Sequence, residues 1–454
     1  MASAPQTRSR SRSRSRSRPA SRSRPMSRRP DAAAGAQVPA SAATGPVTPH
    51  LQARRARGGS FALQRMVLLE LAVALTVCGW LIGSLVLVPS VVVAVVLVLL
   101  AVVRRRRQSL PEWLAGHMAL RARLRRAANT PVAQGVDAGL APAVECEPNL
   151  RTYSYVHRDG RDRRPVGMLG DGGFLTAVLQ VEADAGALRA DRGRRPLPLA
   201  LVRDALDVDG IRLESAQVVL HTQTAPAPHL PRQSVVVTNY AQLQSGNVSP
   251  AVRIMWIALK LDPELCPDAV AARGGGLTGA QKCLTRSAEH LSSRLTGAGF
   301  RVSLLTEEEL SAVLSTSMCA NPMVAVQTGQ GDAPRRRTEE SGRSWRCDNR
   351  RHTTYWVRRW PQLGGHDAGL PQLVARLTAV PALATTFSLT LAPSSRQDVT
   401  ITGHVRVTGR SSTELADARR GLEHAARQAR TALVRLDREQ LAGMLATLPL
   451  GGAR

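Results

Sequence analysis

The chain has 454 residues and a formal net charge of +27, enough sequence for one large domain or two ordinary domains beyond an N-terminal segment. Its six cysteines occur singly, with neither CxxC pairs nor Cys/His clusters, so the sequence predicts no metal site and no disulfide framework. Lysine occurs only at Lys260 and Lys282, an arginine bias typical of G+C-rich genomes, so the high charge alone is weak evidence for nucleic-acid binding.

Residues 1–60 are predicted to form a disordered tail that is rich in arginine and serine. Residues 9–18 are a strict Ser-Arg repeat, and the tail has too few apolar residues to build a core. Such a tail can bind RNA, which leaves a membrane-tethered nucleic-acid binder as one alternative. We favour a cationic tail that rests on anionic lipids, because an apolar segment follows it, so nucleic acid is an unlikely partner.

The apolar segment, residues 63–103, predicts a hairpin of two transmembrane helices. It is about twice the roughly 20 residues that one crossing needs, and Gly and Pro between residues 79 and 90 provide the turn. Cationic residues flank it on both sides: Arg65 before the run, and Arg104, Arg105, Arg106 and Arg107 after it. Because cationic loops stay in the cytoplasm, we expect a two-pass protein of the plasma membrane with both termini cytoplasmic.

Residues 104–150 are predicted to be a juxtamembrane helix and a linker. Pro111 suits the first turn of a helix, and apolar residues alternate with arginines up to Arg126. Trp113 is expected at the membrane interface, as in amphipathic helices that lie on membranes. Residues 127–150 are rich in Pro, Ala and Gly and read as a linker.

Residues 151–454 are predicted to be a cytoplasmic domain of the mixed α/β class, with residues 327–343 as the candidate point of division. Strands are predicted at 173–181, 211–222, 252–261, 300–305, 352–360, 384–391 and 398–407, and helices at 197–206, 278–295, 370–379 and 411–437. Thr306 and Glu309 form a capping box that opens a further helix. Residues 327–343 lack apolar content and predict a surface loop or a domain boundary.

The segment Gly274–Gly279 formally matches the G-x-G-x-x-G pattern of dinucleotide-binding loops and opens a helix. About a dozen residues separate it from the preceding strand, whereas the motif should follow a strand directly. We therefore favour a flexible helix entry. A membrane-tethered enzyme that binds a nucleotide or another phosphorylated ligand here is the alternative. No catalytic, cofactor-binding or metal-binding residue is predicted elsewhere.

Four residues near the end of one predicted strand are candidates for an interaction surface: Trp356, Arg358, Arg359 and Trp360. Trp and Arg are enriched at binding hot spots. Strand alternation predicts that Trp356, Arg358 and Trp360 share one face and that Arg359 lies on the other. Core packing of the tryptophans is an equally weighted alternative.

Several segments resemble EccE, the actinobacterial type VII secretion component: residues 252–263, 272–280, 297–300, 305–310 and 352–361. The N-terminal hairpin followed by an α/β domain is also similar to that family, and the likeness covers roughly residues 62–450. The resemblance implies a non-enzymatic structural subunit of a membrane complex with EccB, the EccC ATPase and EccD. It also implies exported cargo of the small helical-hairpin, WXG type, and no cofactor.

Overall fold

The computed structural model describes residues 58–102, 104–105, 108–132, 135–156, 165–183, 196–223, 235, 252–329, 335–361, 369–394 and 398–452. The predicted Arg/Ser-rich tail, apart from its last three residues, lies outside this part of the chain. Arg106 and Arg107 also lie outside it.

Two apolar helices come first, α1 (Gly58–Ile82) and α2 (Ser84–Val102), close to the predicted positions. They are joined at Gly83, whose φ of +130° is a conformation that residues with a Cβ rarely adopt. The helices fold back on each other through small residues, because a Cβ on Gly79 would overlap the Ser90 side chain. Ala72 and Ala94 are buried in the same contact.

Among the residues described, no helix combines the length and the apolar character needed to cross a membrane. The predicted transmembrane hairpin is therefore not supported by the structure, although both of its helices form.

A short ribbon, Arg104–Arg105 paired with Gln108–Ser109, leads into α3 (Leu110–Asn129), the predicted juxtamembrane helix. The predicted linker contains a further short helix, α4 (Ala141–Cys146).

The remaining chain forms two copies of one β-β-β-α-β-β-α-β-α arrangement. The first copy contains β1 (Arg151–Val156), β2 (Pro165–Gly170), β3 (Leu175–Ala183), α5 (Leu199–Asp204), β4 (Ser215–Gln223), β5 (Val252–Leu261), α6 (Pro267–Ala272), α7 (Gly276–Gly297), β6 (Phe300–Leu304) and α8 (Glu307–Ser317). After α9 (Pro322–Gly329), the second contains β7 (Thr338–Glu340), β8 (Trp345–Cys347), β9 (Arg350–Arg359), α10 (Leu370–Thr378), β10 (Ala384–Pro393), β11 (Val399–Gly409), α11 (Ser412–Gln428), β12 (Ala432–Arg435) and α12 (Gln440–Leu445). The first copy also has α6 and a short hairpin, Asp207–Val208 paired with Ile211–Arg212, and neither has a counterpart in the described part of the second copy.

Within each copy the four central strands follow the order of the ferredoxin-like split β-α-β motif. In the first copy the order is β6-β3-β5-β4, and in the second it is β12-β9-β11-β10. The copies join through β4 and β10, which pair antiparallel with Val219 opposite Ser388. The strands β1 to β12 therefore form one antiparallel sheet, edged by β1 and β2 on one side and by β7 and β8 on the other.

Helices cover both faces of this sheet. The crossover helices α5, α7, α10 and α11 pack on one face, with Leu284, Leu291, Leu377 and Leu422 fully buried in its core. Helices α4, α8 and α12 pack on the other face, in a smaller core that includes Leu314. A sheet with both faces covered needs apolar residues at successive positions, as in the Ile257–Leu259 stretch of β5.

Most predicted elements form near their predicted positions, including the capping box of α8, with Thr306 and Glu309 hydrogen-bonded as expected. The helix predicted over residues 411–437 is wrong in its last third. It ends at Gln428, Arg430 adopts a φ of +52°, and the chain continues as β12. The surface loop predicted over residues 327–343 contains the end of α9 and all of β7. The mixed α/β class is confirmed.

We predict that Gly167→Ala strongly destabilises the protein. A Cβ at Gly167 would overlap the backbone of Thr306 and Glu307, where β2 contacts the start of α8. Such overpacking should lower the free energy of unfolding by about 2 kcal/mol or more. Guanidinium unfolding of the full chain in detergent measures the change. Gly342→Ala is the control, because nothing lies within 4 Å of its Cβ position. Equal midpoints for the two variants would contradict the prediction.

Candidate functional site

The two N-terminal helices expose an apolar surface to the surroundings. Trp80 is 74% exposed and Leu81 is 71% exposed. The other exposed large apolar side chains of the pair are Met66, Val67, Leu69, Leu71, Val73, Val77, Ile82, Val88, Val91, Val92, Val93, Val95, Val96 and Val98. Contiguous apolar surfaces of this kind mark sites of membrane or protein contact. The small residues between the helices are typical of helix pairs packed in membranes.

Helix α3 connects the apolar helix pair to the sheet domain. The Arg123 guanidinium donates two hydrogen bonds of 2.9 Å to the two carboxylate oxygens of Glu340 in β7. The Glu340 side chain is only 6% exposed, so solvent screens this ion pair little. At the other end of α3, the Arg438 guanidinium lies over the Trp113 ring, 5.4 Å from its centroid. These contacts hold α3 against the second copy.

The predicted flanking arginines lie around the helix pair as far as the structure describes them. Arg65 is part of α1, and Arg104 and Arg105 form one strand of the ribbon that follows α2. The membrane-flanking role of these arginines stays a prediction.

The four residues predicted as an interaction surface are separated by the fold. A β-bulge in β9 between Val357 and Arg359 shifts the alternation, so Trp360 lies on the same face as Val357. Trp360 is 9% exposed and packs edge-on against Phe387. Arg358 and Arg359 are exposed, and Trp356 is half-buried on the opposite face. The alternation predicted from sequence is thus wrong beyond the bulge, because one extra residue reverses it.

The segment Gly274–Gly279 follows α6 and not a strand. Gly274, Gly275 and Gly276 all have positive φ, and α7 begins at Gly276. No side-chain cap closes the start of this helix. The context that a dinucleotide-binding loop requires is therefore absent from this described segment, and a flexible helix entry accounts for the glycines.

A polar layer lies inside the protein, on the sheet face under α8 and α12. Strand register aligns His221, Thr386, Arg406 and Thr354 in one row across β4, β10, β11 and β9. His352 and Thr408 lie in the next row. All six residues are buried. In β11 the polar residues Arg406 and Thr408 alternate with Val405 and Val407, which is the pattern of strands with one solvent-exposed face. Sequence reasoning missed the layer for this reason.

One part of this layer binds the chain's own C-terminal segment. The Gln217 side chain donates to the Ala446 carbonyl oxygen at 2.9 Å and accepts from the Gly451 amide at 2.8 Å. Ser388 donates to the Ala446 carbonyl oxygen, and Ser215 donates to that of Gly451. These polar groups are therefore satisfied by backbone.

The other part surrounds Arg406, whose side chain is fully buried. Its Nη2 group donates to the Ser317 carbonyl oxygen and to Thr386 Oγ1, and its Nη1 group contacts Met444 Sδ. Burial lowers the pKa of Arg406 to about 10, and no carboxylate of the described residues pairs with it. Burial and the Arg406 charge lower the pKa of His221 to about 3 and hold that of His352 well below its usual range.

The polar atoms of this region that have no hydrogen-bond partner among the described residues include Arg406 Nε, His352 Nε2 and Ser317 Oγ. The nearby thiols are unreactive, since burial raises the pKa of Cys319 and of Cys347. No metal-binding group of His, Cys, Asp or Glu occurs in the described parts of the chain.

The fold and these surfaces define a two-copy α/β protein with an exposed apolar helix pair, a surface of the kind that contacts a membrane or another protein. Residues 249–357, about a quarter of the chain, match the family model described as "Putative type VII ESX secretion system translocon, EccE". The match confirms, over this segment, the resemblance to EccE predicted from the sequence. It runs from β5 to most of β9 and includes Trp356. No curated protein matches the chain.

We predict that the buried histidines make the fold sensitive to acid. An unfolded histidine binds a proton near pH 6.5, whereas folded His221 stays neutral down to about pH 3. The unfolded state therefore binds more protons in this window. Stability is fully present above pH 6.5 and falls as the pH drops, by up to about 1.4 kcal/mol per pH unit for each histidine.

Unfolding free energies of wild type, His221→Gln and His352→Gln between pH 7 and pH 4 test this prediction. The advantage of wild type over each variant should shrink as the pH falls. His424→Gln is the control, because His424 is exposed. A constant difference across the pH range would contradict the prediction.

Proposed function

We propose that this chain is a membrane-associated structural subunit of a type VII secretion complex, which helps to export small helical-hairpin proteins of the WXG type. The observation that carries the proposal is the match of residues 249–357 to EccE. The apolar helix pair and its connection to the sheet domain through α3 support it. In this role the chain contributes contacts with the other subunits of the complex, and the EccC ATPase supplies the energy for export.

The helix pair is the part that we propose to lie in the membrane. The apolar run of the sequence, Leu63 to Val103, coincides with α1 and α2 as far as the structure describes it, and this apolar character is the ground for the proposal. Burying the exposed apolar side chains in lipid removes them from water, at about 25 cal/mol for each Å². The arginines on both sides of the run favour a two-pass topology with both ends in the cytoplasm.

Helix α3 extends this contact along the membrane surface. Leu114, Met118, Arg121 and Arg125 are exposed and recur at helical spacing on one side of α3. Apolar residues followed by arginines suit the boundary between acyl chains and anionic head groups. Because Arg123 ties α3 to Glu340, the sheet domain would be held close to the inner leaflet.

The proposed protein partners are EccB, the EccC ATPase and EccD. For their contact we propose the exposed end of β9, with Trp356, Arg358 and Arg359. Trp and Arg side chains carry much of the energy of protein interfaces. Trp360 belongs to the core by its burial, so its contribution would be to hold this end of the strand in place.

A topology measurement tests the membrane role. Alkaline phosphatase fused after Ile82 should be active, and the same enzyme fused after Asn129 should be inactive, because only the turn between α1 and α2 would reach the outside. Fluorescence of GFP fused at the two points should show the reverse pattern. An inactive fusion after Ile82, with the protein released from membranes by carbonate, would refute the two-pass topology.

Purification in mild detergent tests the secretion role. The intact protein should co-purify with EccB, EccC and EccD from its own membranes. The double variant Arg358→Glu and Arg359→Glu should lose at least one of these proteins, because it reverses two exposed charges. The matched control is Arg351→Glu, an exposed arginine of the same strand. Recovery of wild type only as a free monomer would contradict the proposal. Co-purification of the same amounts of EccB, EccC and EccD with all variants would rule out the end of β9 as the contact surface.

A further inference from the structure

The buried charge of Arg406 is not required by the fold. In the first copy, Ala258 of β5 pairs with Val178 of β3 and with Gln217 of β4. In the second copy, Arg406 of β11 pairs with Thr354 of β9 and with Thr386 of β10. Ala258 and Arg406 therefore hold the same position in their copies. Thr354 opposite Arg406 corresponds in the same way to Val178 opposite Ala258. One copy thus fills this position with apolar side chains, and the other holds a cation there.

The described residues neutralise this cation only in part. The Ser317 carbonyl oxygen that Arg406 contacts is at the C-terminal end of α8, which carries about half a negative charge. The Thr386 hydroxyl and the Met444 thioether are neutral, and a thioether is a weak acceptor. A buried guanidinium without a full counter-charge is costly, and buried charges in proteins are normally paired.

The atoms without partners around Arg406 are suited to donate hydrogen bonds. Arg406 Nε and Ser317 Oγ each carry a hydrogen, and His352 Nε2 does so when its Nδ1 accepts from Thr408 Oγ1, 3.0 Å away. His352 and Arg406 are diagonal neighbours on adjacent strands of the sheet. Three donors beside one cation match the acceptor oxygens of an oxyanion.

We propose that the Arg406 region is a binding site for one small free oxyanion, with phosphate as the chemical class. The anion would take the place of the Met444 thioether at Arg406 Nη1. Met444 belongs to α12, a helix of six residues, and its unbranched side chain can adopt other rotamers. Arg406 is covered by α8 and α12, which would exclude a lipid head group that remains in the bilayer. This proposal does not depend on the role in secretion.

Equilibrium dialysis of the full chain in lipid-free detergent against radiolabelled inorganic phosphate tests the proposal, with chloride keeping the ionic strength constant. Wild type should bind one phosphate per chain in a saturable manner. Arg406→Met should reduce the affinity at least ten-fold. The matched control, Arg351→Met, removes one exposed positive charge and should bind as wild type does.

Absence of saturable binding to wild type, or equal binding to Arg406→Met, would overturn the proposal. Ser317→Ala gives an independent answer if Arg406→Met does not fold, because it removes a single hydroxyl. A several-fold weaker affinity supports the site, and an unchanged affinity overturns it. Phosphate should also raise the Tm of wild type and of Arg351→Met by several degrees more than that of Ser317→Ala.

Discussion

The antiparallel pairing of β4 with β10 is the contact on which the rest of the domain depends. It joins two copies of one motif edge to edge, so that neither β4 nor β10 is left as an unpaired edge strand. Because the joined sheet is continuous, helices from both copies meet above and below it. The buried layer around Arg406 lies next to this junction and is covered by a helix from each copy, α8 and α12.

The two copies have diverged on one face of the sheet and kept similar cores on the other. Beneath the crossover helices, both copies bury leucines in the same manner. Beneath α8 and α12, the first copy packs Val178 and Ala258, whereas the second buries Thr354 and Arg406. Packing alone explains an apolar layer, but not a cation with an unpaired Nε–H.

The sheet domain has a defined position relative to the apolar helix pair only if the segment that connects them is held in place. Helix α3 meets that requirement because the Arg123 guanidinium donates two hydrogen bonds to the Glu340 carboxylate. The backbone amide of Leu441 donates a third hydrogen bond to the same carboxylate. With three hydrogen-bond donors and little exposure to solvent, the Glu340 carboxylate is held in one position. The sheet domain is therefore held at a defined place relative to α3.

The sequence by itself determined the two apolar helices, most strands and helices of the α/β domain, the capping box of α8, and the resemblance to EccE, since these depend on local periodicity and local chemistry. It did not reveal the duplication, because the copies share topology and not a readable repeat of residues. The strand order, the bulge that moved Trp360 into the core, and the neighbours of Arg406 were decided only by tertiary structure. Alternation along a strand shows that residues share a face, but which element covers that face depends on segments distant in the sequence.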